Sequence, residues 1–507
     1  MKKAILLFTI LFLCLGTFSV SGQKYDYTWL IGHAVDTFAY VNYINFNSPF
    51  VTVSFDTTVQ IDLEQTNICM SDENGNLLFY SNGWQIFNAA HQPLDNSEDF
   101  NDSPFNWQYI IENSGMDMSQ LLLVLPPLNN ESKIYHLFHI KPDYFSLQDT
   151  GYYLENVICG FRLHYSSINM EANGGLGTME TKGMFLLQDT LAPGRMVATK
   201  HANGRDWWII IPKQNSNLFH RILLTPEGPQ VLQPQAIGDI NIFPNKLLGQ
   251  AAFSPNGNWY AIDKIETPQK ELFFLKIFSF DRCSGLLSSP TSIMYAPTRH
   301  FGGGVAFSPD SRYLYQANSS DILQYDLEST NIKASQKVAA VYDAYTDMYL
   351  AYFFYNAQLG PNGKIYINVS NGNRALHEIS KPNLPGALSD LRQRKIQLSY
   401  HSNFSLPTYP NYRLGPLEGS PCDTLGLDNI PLAGFTYEVD PVNTKFISFF
   451  DNSFYEVQNW YWDFGDGTSA TRPNPLHEYQ QSGTYSVCLT VSNDYGENTL
   501  CQFVQIP

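Results

Sequence analysis

The sequence predicts an all-β chain, and three observations carry that prediction. One is a turn-and-strand phrase that recurs. It stands at Phe307-Ser308-Pro309-Asp310-Ser311-Arg312-Tyr313-Leu314-Tyr315, at Phe253-Ser254-Pro255-Asn256-Gly257-Asn258-Trp259-Tyr260-Ala261, and at Leu359-Gly360-Pro361-Asn362-Gly363-Lys364-Ile365-Tyr366-Ile367. Each copy is a turn opening onto an alternating, half-buried run. The second observation is composition: 31 Tyr, 34 Phe, 34 Gly and 29 Pro against only 15% charged residues. That is strand and turn material, not helix or disorder. The third is spacing. Counting looser copies at Asn74-Gly75-Asn76, Ser132-Lys133-Ile134 and Asn203-Gly204-Arg205, the turns fall at Gly75, Ser132, Gly204, Gly257, Ser311 and Gly363. The intervals are 57, 72, 53, 54 and 52 residues. Repeats on this scale, with several strands each, predict propeller blades, because a lone four-stranded sheet cannot cover both its faces. The wide interval after Ser132, with Tyr152 to Tyr165 inside it, is expected to hide one blade with a degraded motif. The prediction is a β-propeller of about seven blades over residues 23–416.

The chain begins with Met1-Lys2-Lys3, an apolar run from Ala4 to Leu15, and the small residues Val20-Ser21-Gly22. This reads as a secretory signal peptide over 1–22, with Gln23 starting the mature chain. The apolar run is too short to span a membrane comfortably. Leu13 stands before Cys14 where a lipoprotein signal wants a small residue. The expected location is therefore secreted or cell surface, without a membrane span. A net charge of −17 argues against nucleic acid as a partner, since no Lys/Arg surplus exists to displace counterions.

Removing Cys14 leaves Cys69, Cys159, Cys283, Cys422, Cys488 and Cys501. An even count in an exported protein favours disulfides, and no C-x-x-C points to zinc or thiol redox chemistry. Cys488 and Cys501 lie on two runs joined by a turn at Asn493-Asp494-Tyr495-Gly496, so opposed strand positions can bridge them. Cys283 with Cys422 is the first choice among the remaining pairings.

Residues 417–431 have linker composition. Leu432 to Pro507 then shows short alternating strands with turn signals about every ten residues, the pattern of a small β-sandwich. Its marks are Trp462-Asp463-Phe464-Gly465-Asp466-Gly467, Pro473-Asn474-Pro475, His477-Glu478-Tyr479 and Gly483-Thr484-Tyr485. In that order these closely resemble a PKD (polycystic kidney disease) domain. The resemblance implies an immunoglobulin-like sandwich over 432–507, used in extracellular proteins as a spacer or binding module. More loosely, Gly75-Asn76-Leu77-Leu78-Phe79-Tyr80, Lys200-His201-Ala202-Asn203-Gly204-Arg205-Asp206-Trp207-Trp208 and the Ser-Pro turns resemble propeller-like regions of secreted proteins from gliding, type IX-secreting bacteria. Those proteins commonly carry a sorting domain after the PKD domain. No residue follows Pro507 in this sequence, so the signal is expected to be absent or supplied by a partner.

Candidate chemistry is sparse. His201, Arg205 and Asp206 could line a ligand pocket with Trp207 as a stacking surface, but the bland reading is a hairpin turn with both tryptophans packed inside. His136, His139 and His164 invite a metal; His136 and His139, three apart on a strand, point to opposite faces and cannot easily share one ion. Asp451, Asp463 and Asp466 are hard oxygen ligands that would suit calcium, although Asp-Gly turns form without an ion. Gly302-Gly303-Gly304 reads as a tight strand entrance, since no Lys-Ser/Thr follows it. No Gly-x-Ser-x-Gly occurs, and the serines of the Ser-Pro turns recur with the repeat, so they belong to the architecture.

The resulting expectation is a noncatalytic extracellular binding or adhesion-type protein with no required cofactor. It recognises protein or glycan through propeller loops, with the sandwich as spacer or second contact. The alternative is a propeller-class hydrolase or lyase acting on polysaccharide or peptide.

Overall fold

The computed structural model describes residues 23–32, 40–48, 50–59, 61–102, 115–116, 118–129, 131–145, 157–192, 194–242, 249–266, 272–296, 303–347, 350–369, 373–402, 404 and 406–507. The expected leader, Gly302, part of the Tyr152–Tyr165 stretch and the Cys159 side chain lie outside the described residues. Among those described, helix is confined to three short turns, Asn173–Gly175, Lys333–Ser335 and Gly386–Ser389. The rest is strand and loop.

Residues 28–402 fold into antiparallel meanders in which each strand of a sheet pairs with the next, except that Gln235–Asn241 returns to pair with Ser216–Thr225. Among the described residues seven sheets of three to five strands follow one another, and none closes on itself. Their first strands are Thr28–Gly32, Ile68–Ser71, Leu122–Leu125, Val197–Lys200, Ala251–Phe253, Gly304–Phe307 and Phe354–Leu359. Among its described residues the 72-residue interval holds no additional sheet, which corrects the expectation of a hidden one. Its length goes instead into the strands Ile134–Phe145, Val157–Asn169 and Thr178–Leu191, all paired in the third sheet. The first sheet, Thr28–Gly32, Val41–Asn45 and Thr52–Asp56, carries no copy of the turn phrase.

The phrase makes the same kind of turn each time, one residue tighter in the third copy. Phe253 pairs with Tyr260, Phe307 with Leu314 and Leu359 with Ile365, so each of the three ends the first strand of its sheet. In the first two copies the serine amide donates across the turn, Ser254 to Trp259 O (2.9 Å) and Ser308 to Tyr313 O (2.8 Å). The serine hydroxyl accepts the amides of Trp259 (3.0 Å) and Tyr313 (2.8 Å). The chain then passes through the left-handed region at Gly257 (φ 73°), Ser311 (φ 63°) and Gly363 (φ 74°). A serine in that conformation is strained, while glycine is not.

Successive sheets touch through their first strands, from the first sheet to the second and third, and from the fourth through to the seventh. The apolar residues that meet there form a nearly continuous set of clusters with Trp29, Trp207, Tyr260, Tyr315 and Tyr366 at their centres. The chain after the seventh sheet runs back along that sheet's first strand. Phe404 meets Tyr355 edge-on at 4.8 Å, and the Tyr409 amide donates to Gln358 Oε1 (3.1 Å). Tyr409 also reaches the first two sheets, 6.0 Å from the Trp29 ring and 2.8 Å from Cys69 Sγ. Burial pushes the Cys69 thiol up to about 12, so it is an unreactive small hydrophobe. Asn42 completes the seam: its Oδ1 accepts the amides of Ser399 (2.9 Å) and Tyr400 (3.0 Å), and its Nδ2 donates to Tyr400 O (3.1 Å).

Residues 435–506 form two facing sheets. One is Phe435–Val439, Phe446–Asp451 and Leu476–Glu478; the other is Ser469–Ala470, Asn459–Asp463, Gly483–Asn493 and Gly496–Ile506. Alternation sends Val487, Leu489 and Val491 inward onto Trp462, Phe449 and Tyr479. Cys488 faces outward, directly opposite Cys501, and the two are disulfide-bonded. Cys283 and Cys422, 5.7 Å apart at Cα, form the second disulfide.

Candidate functional site

The turn from His201 to Trp208 is built by Asn203. Its Oδ1 accepts the amides of Arg205 (3.1 Å) and Asp206 (3.0 Å), and its Nδ2 donates to Asp206 Oδ2 (2.8 Å). Arg205 Nε completes Asp206 at Oδ1 (2.7 Å). His201 Nδ1 accepts the Asn203 amide (3.0 Å), which leaves Nε2 to carry the proton and donate to Cys283 O (3.1 Å). Trp207 is 1% exposed and meets Tyr412 edge-on; Trp208 is 3% exposed and donates Nε1 to Arg282 O (2.8 Å). The fold therefore brings His201, Arg205, Asp206 and Trp207 together as a structural turn. Trp207 offers no face for stacking a ligand, because strand alternation turns it into the core.

That turn receives the following chain. Leu417 donates its amide to Ala202 O (2.8 Å), and Gly204 lies so close to Pro416 that a Cβ would stand 2.6 Å from Pro416 N. Arg282 binds backbone carbonyls only: Nε to Lys200 O (3.0 Å), Nη2 to His201 O (3.2 Å) and to Gly415 O. Beside it Lys200, nine-tenths buried, keeps its ammonium 5.6 Å from the Trp207 ring. Burial, with Arg282 and Arg413 nearby, pushes its pKa down to about 7.

Arg413 is the hub of this region. It makes two hydrogen bonds to Asp26 (2.6 Å each) and one to Gln23 O (3.0 Å), and its guanidinium lies over Phe454 (4.9 Å) and Tyr27 (5.8 Å). Burial alone would lower its pKa, but Asp26 more than offsets that and holds it raised. Between the repeated turns, the 408–417 segment and the loop 451–456 lies a cavity of about 610 Å³. Ala198, Ala252 and Ala306, from three successive first strands, line its apolar wall; Asn256, Asp310 and Asn452 are among its polar lining.

Gln250 spans from the fifth sheet to its neighbours: Oε1 accepts the amides of Val305 (3.2 Å) and Ala357 (3.1 Å), and Nε2 donates to Ala357 O (2.8 Å). Gln120 grips Ala251 in the same way (2.8 and 3.0 Å). In the same part of the fold Arg195, Asp263, Tyr295 and Gln316 converge. Arg195 Nη2 donates to Asp263 O (3.4 Å), and Asp263 Oδ1 accepts from Tyr295 (2.7 Å) and Gln316 (3.0 Å). Arg195 is 1% exposed, and burial pulls it down to about 10. None of the four belongs to a motif; sheet packing alone unites them.

The histidines are spent locally. His136 lies 2.8 Å from the Tyr165 hydroxyl; His139 sits between Asn101 Oδ1 (3.1 Å) and Ser166 Oγ (3.0 Å), stacked on His164. Ser166, His139 and Asn101 have the order of a hydrolase triad, which sequence inspection misses. All three are fully buried, and Ser166 Oγ also accepts the Gly183 amide (2.9 Å). Burial holds His139 well below the usual histidine range, so it stays neutral. Among the described residues no cluster of three or more His, Cys, Asp or Glu side chains could hold a metal.

The three aspartates proposed for calcium also stay apart. Asp451 accepts from Trp460 Nε1 (2.7 Å) and the Ser453 amide (3.0 Å), and Asp463 from the Gly465 amide (2.9 Å). Asp466 accepts from His477 Nε2 (2.7 Å), the Thr468 amide (3.0 Å) and the Thr468 hydroxyl (2.6 Å). Each caps its own turn, and the set does not fit one ion. Burial works to raise Asp466, but Thr468 and His477 hold it below the usual carboxylate range. A carboxylate lowered by folding adds stability above its unfolded pKa and loses it as pH falls through the folded one. The sandwich is therefore expected to weaken below about pH 4. Asp466→Asn should flatten that limb in acid titrations followed by tryptophan fluorescence, and an unchanged limb would remove the assignment.

The stacking of His477 on Phe464 (4.0 Å) and the Tyr479 hydroxyl bound to Phe464 O (3.0 Å) tie the Trp-Asp-Phe-Gly-Asp-Gly turn to the strand after it. The family model described as PKD domain matches residues 437–507. These residues are a PKD domain. Collagenase ColA of Bacillus cereus is 46% identical over 44 residues, 9% of this chain and 5% of the collagenase. The pre-pro-metalloprotease PrtV of Vibrio cholerae is 32% identical over 68 residues, 13% of this chain and 7% of PrtV. The chain thus spans well under a tenth of the length of the curated relatives it matches. Among solved structures, the PKD1 domain of Vibrio anguillarum Epp is 31% identical, covering 15% of this chain and 92% of that one, with a TM-score of 0.14.

The PKD domain does not hang free. Glu438 accepts from Lys364 (3.1 Å) and Arg392 (3.4 Å) of the seventh sheet, which hold its carboxyl low against the opposing effect of burial. Tyr437 meets Phe50 of the first domain at 4.9 Å, and Gly363 faces Asn452 so closely that a Cβ would stand 3.1 Å from Oδ1. Asn493 Nδ2 donates to Asn429 O (2.7 Å) in the linker. A spacer held away by its linker is thus not what the structure shows: the domain is packed against the Gly363 turn and the seventh sheet.

Proposed function

We propose that the chain is an exported binding protein whose seven sheets are the blades of a propeller, closed where the segment after the seventh sheet joins the first. The contacts of consecutive first strands, and those of Phe404 and Tyr409 with both ends of the series, support that reading. Its ligand is an extracellular protein or glycan. One observation carries the choice of surface: the turn-bearing face is covered by the chain's own linker and PKD domain. Recognition therefore falls to the loops at the opposite ends of the strands, with residues 1–22 acting as the signal for export. Screening the mature protein on paired glycan and protein arrays tests this, and a chain that binds neither class would end it.

A second reading, a hydrolase or lyase, has one observation in its favour, the convergence of Arg195, Asp263 and Tyr295. Turnover of a polysaccharide or peptide that disappears in Asp263→Asn, with folding intact, would establish it over binding alone.

A further inference from the structure

Between the sixth and seventh sheets the chain makes a small excursion, a hairpin of Thr346–Asp347 and Leu350–Ala351. It leaves beside Ser320, whose carbonyl accepts the Tyr342 amide (2.8 Å), and returns at Phe354, which donates to Ser319 O (2.8 Å). Those serines join Tyr313–Asn318 to Asp321–Asp326, at the strand ends remote from the Ser308–Ser311 turn. The hairpin thus belongs to the face that the PKD domain leaves open.

At its base two residues other than glycine are held in the left-handed region, Ala344 (φ 62°) and Arg394 (φ 55°). Such strain persists only where surrounding contacts impose it, and it concentrates at functional sites. Here it serves one aromatic ring. Arg394 lies over Tyr345 at 4.3 Å and is locked by two hydrogen bonds to Asp343 (2.9 and 2.5 Å). Tyr352 closes one edge of the ring at 5.4 Å, and Tyr342 donates its hydroxyl to the Tyr345 carbonyl. Tyr345 is 46% exposed, with exposed Asp343, Thr346 and Asp347 beside it.

We infer that Tyr345, fixed by Arg394 and Asp343, is a stacking platform for one pyranose unit of a neutral glycan. A sugar's C–H face covers an aromatic ring, while its hydroxyls donate to carboxylates and exchange bonds with a threonine hydroxyl. One ring with a polar fringe is far smaller than the roughly 800 Å² per partner of a stable protein interface. The exposed carboxylates, on a chain of net charge −17, disfavour acidic sugars. The inference rests on the binding reading above and narrows it to one ligand class and one site.

The test is isothermal titration of the mature protein with cellohexaose, xylohexaose, laminarihexaose and mannohexaose. At least one is expected to bind. Tyr345→Ala should weaken that binding at least tenfold with the melting temperature unchanged, and Tyr345→Phe should retain it, since stacking needs the ring and not the hydroxyl. Asp343→Asn, which weakens the Arg394 lock but keeps the Tyr345 ring itself, should weaken it less than Tyr345→Ala. Equal binding by wild type and Tyr345→Ala overturns the site. Failure of all four hexaoses while arrays find a protein ligand overturns the glycan and leaves the binding reading standing; failure on every array removes both.

Discussion

Arg413→Ala is expected to cost about 3–5 kcal/mol, the usual consequence of removing one partner from a buried ion pair. Asp26 is 3% exposed, and in the variant its carboxyl would lose its counter-ion in a nearly buried position. The same change removes the bond to Gln23 and the contact with Phe454, so residues 23–26, the 408–417 segment and the PKD domain lose their common tie. Two signals should move together: the thermal midpoint of the first domain falls, and the radius of gyration in solution scattering rises as the PKD domain comes off its seat. Asp26→Asn with Arg413→Gln, which removes both charges and keeps hydrogen-bonding groups, should recover part of the stability. A single variant that melts with wild type would show that the pair contributes nothing.

Trp207→Ala should cost a similar amount, roughly 3–5 kcal/mol, for a different reason: a large cavity opens where the ring packed on Tyr412. Chemical denaturation should show an earlier midpoint with an unchanged slope. Ligand binding should be untouched in the fraction that remains folded. Lost binding at an unchanged melting temperature would restore Trp207 as a contact surface and undo the assignment of that turn as structural.

What could be read in advance follows from the range of the interactions. The Ser-Pro-Asn-Gly and Ser-Pro-Asp-Ser turns close on themselves through bonds two to five residues apart, so the phrase announces them wherever it occurs. The Cys488–Cys501 bond was legible because a short hairpin sets its own register. Cys283–Cys422 is only a first choice among open pairings in the sequence, since its partners come together through the docking of the linker on the His201–Trp208 turn. The convergence of Arg195, Asp263 and Tyr295 had no signal at all, because each arrives from a different part of the chain and no spacing links them. The Tyr345 platform was hidden for the same reason: Asp343 and Tyr345 are neighbours, but Arg394 comes from the far strand of the next sheet.

The residues by themselves determined that this chain is built of short antiparallel strands joined by repeated turns, with a small β-sandwich after them, because alternation and turn chemistry act within a few positions; the PKD assignment came from the resemblance of its motifs. Only the assembled molecule decided what packs against those turns. The glycines that make the turns also leave room, at Gly204 and Gly363, for Pro416 and Asn452 to approach. A missing Cβ records that something comes close; what comes close is settled by the packing of distant segments.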